Sequence, residues 1–121
     1  MIFIGFVKGV VDGAEVRELR YEAYEPYASR KLSEIAESYR GVDGVHGVVI
    51  LHRVGSLGPG NETMYVLVAA RDRGTAFSVA REVVDRVKHG VPIFKLEVRS
   101  DGEYWVIGDD RRVKRAQHQH T

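Results

Sequence analysis

The stretch 71–106 leaves this chain few ways to fold. Ala76, Ala80, Val83, Val84 and Val87 recur at helical spacing and draw a single apolar stripe, which predicts a helix with one buried face. Gly90 and Pro92 stop it, because glycine tolerates the left-handed conformation past a helix end and proline cannot continue the helix. Residues 93–98 then alternate as a strand does, and Asp101-Gly102 marks a turn into a second strand at 104–107. Lys88 therefore falls in the last helical turn and Lys95 in the next strand, so rigid elements on both sides bring two amines near one another. A lysine at a helix C-terminus also complements the helix dipole, and a lysine in a half-exposed strand is ordinary. Spacing alone assigns neither residue a chemical role.

Upstream, residues 2–7 are apolar and β-favouring, and 16–24 read as a strand with Leu19, Tyr21 and Ala23 on one face. Val16 is out of phase with those three, which predicts a bulge near Arg17. Pro26 suits the first turn of a helix whose stripe is Ala28, Leu32, Ile35, Ala36 and Tyr39 and whose end is Gly41. Residues 45–54 read as a strand and 56–61 as a Gly/Pro hairpin loop. The run 64–70 is nearly continuously apolar, as in a strand buried on both faces. The predicted order is strand, strand, helix, strand, strand, helix, strand, strand. That describes an α+β domain over residues 1–108, a mainly antiparallel sheet with two main helices. Residues 109–121, with Arg111, Arg112, Lys114 and Arg115 close together, are expected to form a basic, flexible C-terminal tail.

Several function classes drop out. No apolar run is long enough to span a bilayer and no signal-peptide pattern opens the chain, which predicts a cytoplasmic protein. The chain has no cysteine, so disulfides, thiolate nucleophiles and Cys-ligated metals are excluded, and any sulfur chemistry must use sulfur brought by another molecule. A net charge of +1 gives no field for nucleic acid. Gly55, Gly58 and Gly60 lack the Gly-Lys-Ser/Thr ending of a phosphate-binding P-loop. His46 and His52 lie on predicted strands and read as structural, while His118 and His120 on the terminal segment supply too few ligands for a specific metal site. The remaining reactive inventory is cationic: Lys8, Arg71, Arg73, Lys88 and Lys95. Arg73 beside Gly74 at a helix N-terminus suits an anionic, phosphate-bearing substrate.

The run Val87-Lys88-His89-Gly90-Val91-Pro92-Ile93-Phe94-Lys95-Leu96-Glu97, followed by Asp101-Gly102 and Trp105-Val106, resembles the signature of the large, catalytic subunit family of molybdopterin synthase. The resemblance continues through His52-Arg53-Val54-Gly55, Leu57, Pro59-Gly60, Glu62 and Tyr21-Glu22-Ala23-Tyr24, in unbroken order. It implies an α/β hammerhead-type fold and a sulfurtransferase of molybdenum cofactor biosynthesis. The substrate would be cyclic pyranopterin monophosphate, converted to the dithiolene of molybdopterin. The sulfur would come from the C-terminal Gly-Gly thiocarboxylate of a small ubiquitin-like sulfur-carrier subunit, with no cofactor and no metal. The assembly implied is a homodimer within a heterotetramer.

Carried over position by position, the resemblance implies Lys88 and Lys95 as catalytic, with Lys88 toward the thiocarboxylate and Lys95 toward the pterin. It implies Phe3, Lys8 and Arg73 as substrate-binding, Arg73 reaching across from a second protomer, and Glu97 as orienting Lys95. Asp72 stands where the family has histidine, and Lys8 where it has arginine, which keeps the charge and loses the bidentate fork. The family also carries a further segment before the first strand. These departures motivate an alternative, a non-catalytic interaction domain of the same fold that binds the sulfur carrier. The intact Lys88/Lys95 pair argues for the enzyme.

Overall fold

A computed structural model describes residues 1–108 and 111–116. Its elements run β1 (Ile2–Phe6), β2 (Val10–Val11), β3 (Ala14–Ala23), α1 (Tyr27–Glu37), β4 (Val45–His52), β5 (Gly55–Leu57), β6 (Glu62–Ala70), α2 (Arg73–Gly90), β7 (Ile93–Arg99), β8 (Gly102–Ile107) and β9 (Arg111–Lys114). They form two antiparallel sheets. One has three strands in the order β1-β6-β4; the other runs β2-β3-β7-β8-β9, with β5 paired to β3. The α+β class with two main helices agrees with the sequence-based expectation.

The main core lies between the three-stranded sheet and the helices. Met64, Val66 and Val68 of β6 point inward at alternate positions and meet Ala76, Val79, Ala80, Val83, Val84 and Val87 of α2. Ala28, Ile35 and Tyr39 add the buried side of α1. The two helices are also tied by polar contacts, with the Tyr39 hydroxyl donating to Glu82 at 2.6 Å and Arg86 to the Ser38 hydroxyl at 2.7 Å. A smaller cluster of Val7, Val11, Val16, Tyr21 and Leu57 fills the junction of the two sheets.

Four local features sharpen or correct the reading of the sequence. The β3–β7 register shifts between Val16 and Glu18, the bulge expected at Arg17. The 56–61 loop begins with a short strand instead, β5, whose Leu57 is buried and pairs with Leu19; three residues are too few to carry a periodic signal. β6 is buried on one face only: Tyr65 and Leu67 are half-buried on the other, among exposed Ile2, Ile4, Val49 and Leu51. Its continuous apolarity thus reflects an uncovered outer face. Finally, residues 111–114 of the expected tail are β9, pairing Trp105 with Val113 and Val106 with Arg112. His118 and His120 lie outside the described residues.

Candidate functional site

The two sheets and the end of α2 enclose a cleft of about 150 Å³. β1 contributes Phe3, the turn after it Lys8, α2 its last-turn Lys88, and β7 both Lys95 and Glu97. β3 supplies Tyr21, β4 supplies His52, and β9 supplies Arg112. Four of the five candidate site residues, Phe3, Lys8, Lys88 and Lys95, are therefore neighbours in space although 92 positions separate the first from the last.

Each is held by local geometry. Lys8 follows Val7, whose N–H donates to the Asn61 carbonyl and whose carbonyl accepts from Gly60, both at 3.0 Å, so the chain cannot slide there. Gly5 lets β1 pass close to β6, since a Cβ at that position would lie 2.8 Å from the Thr63 hydroxyl oxygen. Lys88 sits where α2 must end, with the Val91 N–H closing the last turn on the Val87 carbonyl at 3.3 Å before Pro92. Lys95 pairs in register with Tyr21 and carries its ammonium over that ring, 6.0 Å from the centroid.

The electrostatics favour anions. Among the described residues, Lys8, Lys88, Lys95 and Arg112 line the cleft with one carboxylate, Glu97. That carboxylate is already engaged: Arg112 donates from Nε at 3.0 Å and Nη2 at 3.3 Å, and Arg99 Nη1 lies at 3.5 Å. Glu97 is thus a buried ionic anchor for its two arginine neighbours. Burial pushes the His52 imidazole below its ordinary pKa, against the hydrogen bond to the Arg53 carbonyl, and the Lys95 charge lowers it further. Burial likewise raises the Tyr21 phenol, opposed by its hydrogen bond with Thr63. Among the described residues no cluster of three or more His, Asp or Glu side chains is arranged to hold a metal.

Arg73 does not join this cleft. It begins the helix that Lys88 ends, and fifteen residues at 1.5 Å each separate them by roughly 22 Å along the axis. The helix N-terminus is not open to a ligand in the way the sequence suggests, either. Asp72 caps it, accepting the Thr75 N–H at 2.8 Å, so the chain's own carboxylate fills the anion position. That bond, helped by the neighbouring Arg71 charge, holds the Asp72 carboxyl below its ordinary value. Two cleft residues escaped the sequence reading. Arg112 lay in an apparent tail, and His52 was set aside as structural; its signal was its place at the end of a strand beside a Gly/Pro turn.

The profile of the MoaE protein family matches residues 1–90. The chain belongs to the MoaE family, that of the catalytic subunits of molybdopterin synthase. The molybdopterin synthase catalytic subunit of Pyrococcus abyssi is 37% identical over 109 residues, covering 90% of this chain and 74% of that protein. An alignment of that extent must include Lys95, which the profile match stops short of. The Bacillus subtilis catalytic subunit is 37% identical over 88% of the chain and 68% of its own length. Against the Oryza sativa subsp. indica catalytic subunit, 38% identical, the chain spans about half the relative, 53%. The solved molybdopterin synthase of Staphylococcus aureus superposes with a TM-score of 0.79 at 31% identity, over 88% of this chain and 77% of that one. A chain from the Helicobacter pylori complex of subunits 1 and 2 of molybdopterin-converting factor has a TM-score of 0.69 at 18% identity over 99% of this chain and 73% of its own, a likeness of fold.

Proposed function

We propose that this MoaE-family chain transfers sulfur from the C-terminal thiocarboxylate of a small ubiquitin-like carrier to cyclic pyranopterin monophosphate, with Lys88 and Lys95 as the reacting amines. The observation that carries the reading is the meeting of Lys88, Lys95, Lys8 and Phe3 in one cation-rich cleft. Both the thiocarboxylate and the cyclic phosphate are anions, and two fixed ammonium groups hold them side by side. Lys88 meets the thiocarboxylate; Lys95 serves the pterin side, donating and accepting protons as sulfur adds and the cyclic phosphate opens.

Support for the partner comes from the surface beside the cleft. Phe94, Trp105, Ile107 and Val113 line an apolar groove of about 560 Å³ whose wall also includes Lys88 and Lys95. An extended C-terminal tail lying in that groove would end at the two amines. Support for a homodimer comes from two further features. Arg73 is too far along α2 to serve its own cleft, which suits a residue lent to a second copy. The outer face of the three-stranded sheet exposes Ile2, Ile4, Phe6, Val49 and Leu51, an apolar surface a second copy would cover.

The test is reconstitution: the chain, thiocarboxylated carrier and cyclic precursor are mixed, and dithiolene is measured in a single turnover. Formation of product at a rate that Lys88→Ala abolishes supports the reading. Stoichiometric carrier binding with no dithiolene would leave the non-catalytic carrier-binding domain as the better description.

A further inference from the structure

His52 is where the three-stranded sheet reaches the lysine strand. It ends β4, and its imidazole stands edge-on to Tyr21 of β3, with ring centroids 4.9 Å apart and 68° between planes. Lys95 of β7, the register partner of Tyr21, rests its ammonium over the same ring. Both His52 and Lys95 line the cleft. We propose that His52 is a positioning residue for Lys95, bracing the Tyr21 ring and so fixing the surface on which the Lys95 ammonium sits. The inference rests on the reading of Lys95 as the pterin-side amine.

The brace is rigid at both ends. His52 Nδ1 lies 2.6 Å from the Arg53 carbonyl oxygen, so that nitrogen carries the hydrogen and, in the neutral ring, Nε2 keeps the lone pair. Arg53 is itself fixed, its N–H donating to the Thr63 carbonyl at 2.8 Å. Tyr21 is buried and its hydroxyl is hydrogen-bonded with Thr63, which stops the ring from turning away. One side chain of β6 and one carbonyl of the β4 exit thus hold the two rings that present Lys95.

The brace also carries a condition on charge. Lys95 from β7, Lys88 from α2, Lys8 from the turn after β1 and Arg112 from β9 all face the cleft that His52 lines. Glu97, the carboxylate there among the described residues, is taken up by Arg112 and Arg99. Neutral His52 adds no charge to this set, and burial together with Lys95 keeps it neutral to below its ordinary range. A proton on His52 puts a further cation beside Lys95 and drives the two apart. Sulfur transfer should therefore fall on an acid limb belonging to His52, at a pH below the ordinary histidine value.

The test uses the full chain with His52→Ala and His52→Phe, saturating thiocarboxylated carrier and cyclic precursor. In parallel, the ¹³Cε resonance of Lys95 is followed against pH in ¹³C-lysine-labelled protein. In the wild type that resonance should step as His52 titrates, and the step should vanish in both variants. His52→Ala should slow single-turnover dithiolene formation about 10²-fold, the scale of a displaced reacting group, with precursor affinity unchanged. His52→Phe, which keeps a ring against Tyr21, should recover at least tenfold of that loss and lose the acid limb. A wild-type Lys95 resonance blind to His52, a His52→Ala rate equal to wild type, or a His52→Phe rate as low as the alanine variant would each overturn the proposal. The resonance is read without turnover, so it stands if His52→Ala does not fold. Absence of dithiolene with the wild type would instead count against the sulfurtransferase reading.

Discussion

Replacing Glu97 with alanine tests whether the basic segment after β8 belongs to the site. The Glu97 side chain is 5% exposed and binds Arg112, 15% exposed, through Nε at 3.0 Å and Nη2 at 3.3 Å. Arg99 would keep Asp101, at 2.8 and 2.9 Å, and Asp12 at 3.1 Å, so the loss falls on Arg112. Removing one partner of a buried pair costs about 3–5 kcal/mol, because the remaining charge is left uncompensated. Arg112 is the more exposed of the two and has a further interaction of its own, which places the expected loss at the lower end, about 3 kcal/mol. With an unfolding entropy of about 2.1 cal/mol/K per residue, that lowers the midpoint of this chain by about 12 °C. Glu103→Ala is the control: its pair with Arg115 at 2.9 Å is exposed on both sides, and its loss should stay below about 1 kcal/mol. Thermal and urea unfolding followed by circular dichroism give the two values. Trypsin supplies a second readout, since a released β9 exposes Arg111, Arg112, Lys114 and Arg115. An alanine variant within about 1 kcal/mol of wild type, cut no faster by trypsin, would refute the idea that Glu97 anchors β9 across the cleft.

Other outcomes follow from the same geometry. Lys95→Ala and Lys95→Arg should both slow single-turnover dithiolene formation by about 10²–10⁴-fold with the fold intact, because guanidinium keeps its proton near neutral pH; an arginine variant near wild type would reduce Lys95 to a fixed charge. Asp72→His should tighten precursor binding by removing an anion beside Arg73, and lower the unfolding midpoint by removing the α2 cap, as read by titration calorimetry at two salt concentrations and by thermal melts. His52 has a folded pKa below its unfolded value near 6.5, so the unfolded chain takes up the proton first as pH falls. Its contribution to stability is complete above that value and is lost as pH drops toward the folded pKa; urea midpoints against pH should show the loss, and His52→Phe should flatten it.

How much of this was legible in the sequence depends on how each signal is carried. The stripe from Ala76 to Val87 and the stop at Gly90-Val91-Pro92 are local, repeated several times over, and they placed Lys88 and Lys95 on the right elements. The bulge at Arg17 was equally visible, since one residue out of phase in an alternating strand has few other meanings. β5 and β9 were not, because a strand of three or four residues takes its stability from partners far away in sequence: Leu57 from Leu19, and Arg112 from Glu97 and Val106. A segment reading Arg-Arg-Val-Lys-Arg has the composition of a solvated tail until a buried carboxylate is found fifteen positions upstream. His52 was hidden for the same reason, its meaning lying in the ring of Tyr21 thirty-one positions away.

Asp72 shows how a site can be rebalanced without losing its amines. Arginine followed by glycine at a helix start suggests a phosphate seat, since the first N–H groups of a helix have no intrahelical acceptor. Here the preceding residue takes up the Thr75 N–H with its own carboxylate and also lies 3.6 Å from Arg71 Nε. A phosphate approaching the α2 N-terminus would have to displace that carboxylate, and it would meet a negative charge in doing so. Within one protomer the clustered cations lie at the other end of the helix, Lys8, Lys88, Lys95 and Arg112, where Glu97, the one carboxylate lining the cleft among the described residues, is neutralised by arginine. The arginine that a tail-like sequence hides lines that end of the helix, which makes β9 part of the cation-lined cleft as well as of the sheet.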